Sequence, residues 1–106
     1  MDLTPDVLLF ETIRTLEKNP AQSQRDLASV LGVSVGRMNF CLKALAEKGL
    51  VKVENYRTST NRLAYLYLLT PAGVAEKAVL TRRFLARKMA EYDALKSEIA
   101  ALQRDL

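Results

Sequence analysis

The sequence predicts a mainly α-helical, α+β fold in which helices and one β-hairpin build a single small domain with a long terminal helix. Two short helical patterns are joined by a glycine, and two runs rich in Val, Tyr and Leu follow them across a polar loop. No helix breaker interrupts the pattern from Val74 to Leu106. A chain of 106 residues is long enough for one modest core.

The helical pair over residues 24–45 is the segment around which the other elements are expected to be arranged. Ser23 is a suitable N-cap for its first helix, and Asp26 follows three residues later in a weak capping box. Gly32 tolerates the positive φ at which this helix must end, and Ser34 caps the next helix. This pattern is typical of a helix-turn-helix.

The second helix of the pair has two chemically different faces. The face expected to pack on the core carries Val35, Met38, Cys41, Leu42 and Leu45. The opposite face carries Gly36, Phe40, Lys43 and Glu47, flanked by Arg37 and Asn39.

A β-hairpin is predicted directly after the second helix. That helix ends at Gly49, and strands are expected over residues 50–56 and 63–69. The connection has an arginine at each end, Arg57 and Arg62, and no Asn-Gly or Asp-Gly pair, so we expect a wide loop. A helix-turn-helix followed by a two-stranded hairpin is the layout of a winged helix.

The first helix is predicted to begin at Thr4 and Pro5 and to run to about Lys18, ahead of the next proline. Val7 and Leu8 are expected to point away from the core. Either residue alone is expected to be plain surface. The two together are a weak indication of contact with a partner subunit. The expected core stripe is Leu9, Phe10, Ile13 and Leu16.

The terminal helix is predicted to begin at Thr70 and Pro71 and to extend roughly 50 Å. Apolar residues recur along it at alternating steps of three and four, which is the seam of a coiled coil. The register reaches back to Leu85, whereas Lys88 and Thr81 interrupt it, so the upstream part is expected to pack on its own domain. The predicted dimerisation residues are Leu85, Tyr92, Leu95, Ile99, Leu102 and Leu106.

The charges of this helix favour a parallel homodimer. With Tyr92 at heptad position a, Glu91 is a g position and Lys96 is the following e position, an attractive pair between parallel helices. The alternative is an amphipathic helix that folds back on its own chain. Residues 71–106 are therefore the predicted dimerisation segment, after a domain over residues 1–70.

Positive charge concentrates where the helical pair and hairpin lie. Residues 34–70 hold six basic and two acidic side chains, a net charge of +4, whereas residues 1–33 hold three basic and five acidic, a net charge of −2. Residues 71–106 hold seven basic and five acidic, a net charge of +2. A polyanion such as duplex DNA is the partner that this distribution favours over a chance excess of lysine.

Other classes of function are disfavoured by what the sequence lacks. It has no histidine, no glycine-rich phosphate loop and no cluster with metal-ligand spacing, so we expect neither an enzyme nor a cofactor. Glu54 and Glu91 are not expected to form a catalytic carboxylate pair. No apolar run approaches the ~20 residues that span a bilayer, and the N-terminus is unlike a signal peptide. The single Cys41 fits a reducing cytoplasm, and its place on the core face disfavours redox sensing.

The chain resembles MarR-type winged-helix transcriptional regulators over nearly its whole length from Thr4. The resemblance is carried by residues 24–28 (QRDLA) with residues 31–34 (LGVS), residues 42–51 (LKALAEKGLV) and residues 68–73 (LLTPAG). The combination of these motifs with the terminal segment FLARKMAEYDALKSEIAALQ looks most like a short subgroup associated with exopolysaccharide gene clusters.

The resemblance implies a homodimer that binds pseudo-palindromic duplex DNA, with recognition helices in successive major grooves and wings along the minor groove or backbone. Typical members are longer and enclose a pocket for small phenolic effectors. This chain has one long terminal helix instead, so a small-molecule effector is compatible with it but not indicated. Its wing also lacks the usual Asp-x-Arg sequence, for which Arg57 and Arg62 are the available substitutes.

Side-chain chemistry assigns roles on the exposed face of the second helix. Arg37 is suited to reading guanine or to a phosphate contact, and Asn39 to reading adenine. Phe40 either touches a thymine methyl group or fills a crevice in its own fold; Lys43 and the capped helix start at Ser34 suit phosphate. The predicted DNA-binding residues are Ser34, Gly36, Arg37, Asn39, Phe40, Lys43, Arg57 and Arg62.

A different class of function remains open, because winged helices also act as protein-interaction modules and a parallel coiled coil is a general assembly device. Glu47 on the exposed face and the modest total charge of +4 are compatible with it. Binding to DNA would weaken steeply as salt rises, whereas an apolar protein interface would not.

Overall fold

The computed structural model describes residues 4–57, residue 60 and residues 63–106. Within them, four helices and a two-stranded antiparallel sheet confirm the predicted winged-helix fold and the predicted order of elements. The elements are α1 (Pro5–Lys18), α2 (Gln24–Leu31), α3 (Val35–Glu47), β1 (Val51–Arg57), β2 (Leu63–Leu69) and α4 (Pro71–Arg104).

Each helix begins at the Ser or Thr that the sequence indicates as its cap. In every case the hydroxyl oxygen accepts a backbone N–H three residues later, which satisfies a donor that has no partner within the helix. The pairs are Thr4 with Val7 (3.3 Å), Ser23 with Asp26 (3.0 Å), Ser34 with Arg37 (3.1 Å) and Thr70 with Gly73 (3.0 Å).

Helix α3 ends in a Schellman motif that turns the chain into the hairpin. Gly49 has a φ of +73°, and its N–H donates to the Ala46 carbonyl at 3.0 Å. The N–H of Leu50 donates to the Leu45 carbonyl at 2.9 Å, which is the second bond of the motif. The predicted ends of α2, at Gly32 with a φ of +68°, and of α3 are thus confirmed.

The hydrophobic core lies around α1, and it corrects the sequence-based expectation for Leu8. That side chain is only 3% exposed, so the expectation that it points away from the core is wrong. Helix α1 contacts α2, α3, α4 and β2. Side chains around more of its circumference are therefore buried than in a helix that packs against the core on one side. Thr12 is also buried; its hydroxyl donates to the Leu8 carbonyl at 2.7 Å.

The core face of α3 is confirmed at four of the five expected positions. Met38, Cys41, Leu42 and Leu45 are buried, but Val35 is 47% exposed, so its expected burial is wrong. Val35 is the first residue of the helix and lies beyond the edge of the core, which α3 reaches one turn later.

The hairpin packs its base on the core and extends its other end into solvent. Strand pairing runs from Val51 opposite Leu69 to Arg57 opposite Leu63. The backbone of Gln22 pairs with that of Tyr67, through N–H to carbonyl distances of 2.8 and 3.3 Å, and so links β2 to the segment before α2. Of the predicted wide loop, Arg57 is the last residue of β1 and Thr60 is described, whereas the other residues lie outside the described part of the chain.

Helix α4 packs on the domain only through its first turns. Phe84 stacks on Phe10 with ring centroids 4.7 Å apart, and the Lys77 amine lies 2.6 Å from the Glu17 carboxylate. Residues 85–99 are exposed, and the molecule measures 68 × 25 × 20 Å. The expectation that the upstream part packs on its own domain is confirmed, and the alternative that the helix folds back does not occur.

Candidate nucleic-acid interface

Helix α3 is held so that one of its faces is turned to solvent. Its buried side chains anchor it to α1 and α2, and Ala28 of α2 is small enough for the two helices to cross closely. The Gln24 side-chain amide donates to the Val35 carbonyl at 3.1 Å, which fixes the first turn of α3 against the start of α2.

The predicted DNA-binding residues of α3 lie together at this exposed surface. Asn39 is partly buried beside it, and Ser34, Gly36, Arg37, Phe40 and Lys43 are exposed. The N-terminus of the helix, where Ser34 accepts the Arg37 N–H, carries partial positive charge from the helix dipole. The surface therefore presents donors and a cation side by side, which is the chemistry that phosphates and base edges bind.

Phe40 is the most exposed aromatic side chain on this surface, at 76%. Its ring borders a shallow cavity of about 120 Å³ that Pro5, Leu8, Leu9 and Ala44 also line. The alternative in which Phe40 fills a crevice in its own fold is therefore wrong, and the ring is available to a ligand.

The two faces of the hairpin differ in charge. On one face Glu54 binds two neighbours: the Lys52 amine lies 3.2 Å from its carboxylate, and the Tyr56 hydroxyl donates to it at 2.7 Å. The Tyr56 hydrogen bond, followed by Lys52, lowers the pKa of Glu54, and the same hydrogen bond raises the pKa of Tyr56. Lys52 is therefore partly neutralised by its own strand.

The other face of the hairpin carries Arg57, which is exposed at the end of β1. Asn55 lies on the same face, opposite Tyr65 of β2, and both are exposed. The sequence analysis did not include Asn55 and Tyr65 among the candidate DNA-binding residues. The alternation of side chains along a strand could have indicated Asn55, because it places Asn55 on the same face as Arg57. Arg62 lies outside the described residues.

Cys41 is a packed core side chain, 5% exposed, with its sulfur 3.6 Å from the Thr12 hydroxyl. Burial raises the pKa of its thiol, and this effect outweighs the opposing influences of Thr12 and Arg37. The thiol is therefore protonated near neutral pH.

The predicted dimerisation residues are all exposed; five lie along α4, and Leu106 lies just beyond its end. Their spacing places them on one side of the helix, and Met89, which sequence reasoning missed, is 53% exposed. No helix in the described part of the chain is long and apolar enough to cross a membrane. The described residues also contain no group of three or more His, Cys, Asp or Glu side chains that could hold a metal ion.

Comparisons with known proteins agree with this geometry. Residues 6–52 match a family described as "Winged helix-turn-helix DNA-binding". A search of curated proteins found no match.

Among solved structures, smu.1704 from Streptococcus mutans is similar, with a TM-score of 0.76 and 16% identity over 84% of this chain and 86% of that one. A MarR family transcription regulator has a TM-score of 0.65 and 19% identity, with 92% of this chain and 69% of that one covered. The transcriptional repressor CouR, bound to a 23-mer DNA duplex, has a TM-score of 0.61 and 26% identity, with coverage of 88% and 70%. Residues 6–52 are therefore similar to winged helix-turn-helix domains described as DNA-binding, and the chain has the fold of the MarR family transcription regulator of known structure.

Proposed function

We propose that this protein is a homodimeric transcriptional regulator that recognises a pseudo-palindromic operator in duplex DNA through α3 and the hairpin. The observation that carries the proposal is the solvent-facing surface of α3, where Arg37, Phe40 and Lys43 lie beside a capped helix N-terminus. An exposed helix with such side chains is suited to a major groove, which is wide enough to admit it.

Base reading is assigned to Arg37 and Asn39, and phosphate binding to Lys43 and the helix start at Ser34. A guanidinium can bond guanine bidentately and a carboxamide can bond adenine in the same manner. Phosphate contacts set the position of the protein on the duplex, whereas base contacts give it sequence preference. The exposed ring of Phe40 suits contact with a thymine methyl group.

The hairpin is proposed to contact DNA through the face that carries Arg57, with Arg62 as a second arginine. Support comes from the opposite face, where Glu54 partly neutralises Lys52. Asn55 and Tyr65 add hydrogen-bonding groups to the proposed contact face.

Residues 1–70 are proposed as the DNA-binding domain and residues 71–106 as the dimerisation segment. An exposed apolar stripe on one side of α4 supports pairing with a second copy. Control of exopolysaccharide genes is part of the proposal, and its only support is the resemblance of the motifs, combined with the terminal segment, to the exopolysaccharide-associated subgroup.

Fluorescence anisotropy with duplex DNA from upstream of the protein's own gene, against a scrambled duplex and across a salt series, tests the proposal. Binding that prefers the upstream duplex and weakens steeply with salt is expected, because phosphate contacts release counterions. Weak binding without preference at low salt would contradict the proposed function.

The exposure of Phe40 also favours a second candidate, a protein-interaction module that uses the same face of α3. The ring is 76% exposed, and Glu47 is exposed on that face. Such an interface would be apolar and insensitive to salt, so the salt series separates the two candidates.

A further inference from the structure

A groove of about 510 Å³ runs between α1 and α4. Its apolar lining includes the stacked rings of Phe10 and Phe84, whose planes are 17° apart, together with Val7 and Leu85. Two ion pairs also line it: Glu11 with Arg14 at 3.0 Å and Lys88 with Glu91 at 3.2 Å.

This α1–α4 groove is continuous with the exposed seam of α4. Leu85 belongs to both, because it lines the groove and occupies an a position of the heptad register. From Tyr92 to Leu106 the seam spans only about two heptads, and helices of that length are marginal in water. A stable pair of α4 helices therefore needs more contact surface than the distal seam offers, and the groove is adjacent to it.

The heptad register identifies which side chain of a second copy would meet the groove. In a parallel pair, each g residue faces the e residue five positions later in the other helix, as Glu91 faces Lys96. One heptad earlier, the same relation places Phe84 opposite Met89 of the second copy. Both are apolar, in contrast to the charged pair that follows them.

An antiparallel pair would not make these contacts. It would set g positions against g positions. The three g positions after Phe84 are Glu91, Glu98 and Asp105, so carboxylates would face carboxylates. The charge pattern thus selects the orientation in which Met89 reaches Phe84.

We propose that the α1–α4 groove receives Met89 of a second copy of this chain, so that each subunit completes the groove of the other. Met89 is 53% exposed in the single chain, and its flexible thioether side chain fits irregular spaces and packs well against aromatic rings. The inference rests on the proposed homodimer and adds α1 to its interface.

Sedimentation equilibrium of the full chain tests this proposal with two adjacent substitutions. Met89→Lys introduces a charge into the groove and is expected to raise the dimer dissociation constant by about tenfold or more. Ala90→Lys, at an exposed f position away from the seam, adds the same charge and is expected to change it by less than about twofold. Met89→Leu should keep the wild-type constant, because it preserves an apolar side chain of similar volume.

An isotope-filtered nuclear Overhauser experiment gives a readout that does not depend on affinity. In a dimer mixed from Met-methyl-labelled and unlabelled copies, the Met89 methyl group is expected to show intermolecular contacts to a Phe ring, and Met89→Leu identifies its signal. A wild-type dimer without these contacts, or one that Met89→Lys leaves unchanged, would overturn the groove contact but leave the dimer standing. A wild-type monomer at micromolar concentration would overturn both.

Discussion

Arg37 and Lys43 lie on the same exposed face of α3, but their side-chain chemistry differs. A guanidinium is planar and can bond a base edge with two parallel hydrogen bonds, whereas an ammonium acts as a point charge that binds phosphate without reading sequence. Under the proposed function, Arg37 contributes to sequence preference, whereas Lys43 contributes to affinity for any duplex.

Arg37→Ala is expected to cost about 1–3 kcal/mol of binding to the preferred duplex and to relax preference at one base position. Lys43→Ala is expected to weaken binding to all duplexes alike and to reduce the salt slope by about one unit. Selection from random duplex DNA with each variant, and with Arg104→Ala at the far end of α4 as control, is the measurement. Unchanged preference with Arg37→Ala would remove the base-reading role.

The Cys41 thiol is expected to react slowly with a thiol reagent in the native protein at neutral pH and rapidly after denaturation. Burial both shields the sulfur and raises the pKa of the thiol, so the reactive thiolate is scarce. Because the folded state holds this proton more tightly, its contribution to stability is complete below the pKa of the unfolded thiol. That contribution is lost as the pH rises through the folded pKa.

A time course with a chromogenic disulfide reagent, with and without urea, measures this difference. Equal rates in the two conditions would show that the sulfur is accessible, which would reopen the redox-sensing role.

Several single residues could be assigned from the sequence, and others could not. The four capping residues were predictable because a cap depends on a local hydrogen bond that residue type and spacing specify. Leu8 and Val35 were not, because their burial depends on how many elements surround α1 and on where the core ends along α3. Both features depend on tertiary packing, which local sequence patterns do not specify.

Glycines in and after α3 have opposite energetic consequences. Gly49 has a φ of +73°, where an L side chain is strained, whereas Gly36 lies within the helix with open space where a Cβ would be. Gly49→Ala is expected to lower the free energy of unfolding by about 1–2 kcal/mol, and Gly36→Ala to raise it by about 0.5–1 kcal/mol. Urea denaturation of both variants measures these changes.

The same pair of variants separates stability from function. Gly36→Ala is expected to weaken DNA binding although it stabilises the fold, because the missing side chain lets the exposed first turn approach the duplex. Binding that remains at the wild-type level would remove Gly36 from the proposed interface.

The helices and strands themselves were largely predictable, because each is bounded by residues with specific backbone effects. Pro5 and Pro71 begin α1 and α4, and Gly32 and Gly49 end α2 and α3. The pairing of Gln22 with Tyr67 was not predictable, since it joins segments far apart in sequence that only the packing of α2 on the sheet brings together.

Helix α4 joins two parts of the molecule with different roles. Its first turns are fixed on the domain, where Gly73 lies so close to the Leu50 carbonyl that a Cβ could not fit without a shift. Its distal turns project into solvent and carry the apolar seam. The start of α4 is therefore packed against the turn that follows α3, and the orientation of the seam depends on this contact.

Deletion of residues 89–106 is expected to leave the winged helix folded, because these residues are exposed or, at Ala100, only partly buried. The shortened chain is expected to be monomeric and to bind a full operator about a hundredfold more weakly. The reason is that the second DNA-binding domain is no longer linked to the first and so binds its half-site as a separate molecule. Circular dichroism, sedimentation and anisotropy provide the three readouts. Unchanged operator affinity in a monomeric variant would contradict the proposed dimer.

In the proposed complex, the two winged-helix domains of one dimer bind the same duplex. A parallel dimer presents two copies of α3 related by two-fold symmetry, and such dimers bind half-sites about one helical turn apart. The sequence indicated the seam and the recognition face separately, but their relative placement depends on how α4 packs on α1.

Selection of preferred sites from random duplex DNA by the whole chain tests this arrangement. An inverted repeat whose half-sites are centred about 10 base pairs apart is expected for the whole chain, and a single half-site is expected for the variant that lacks residues 89–106. No enrichment, or the same unrepeated site for both proteins, would contradict it.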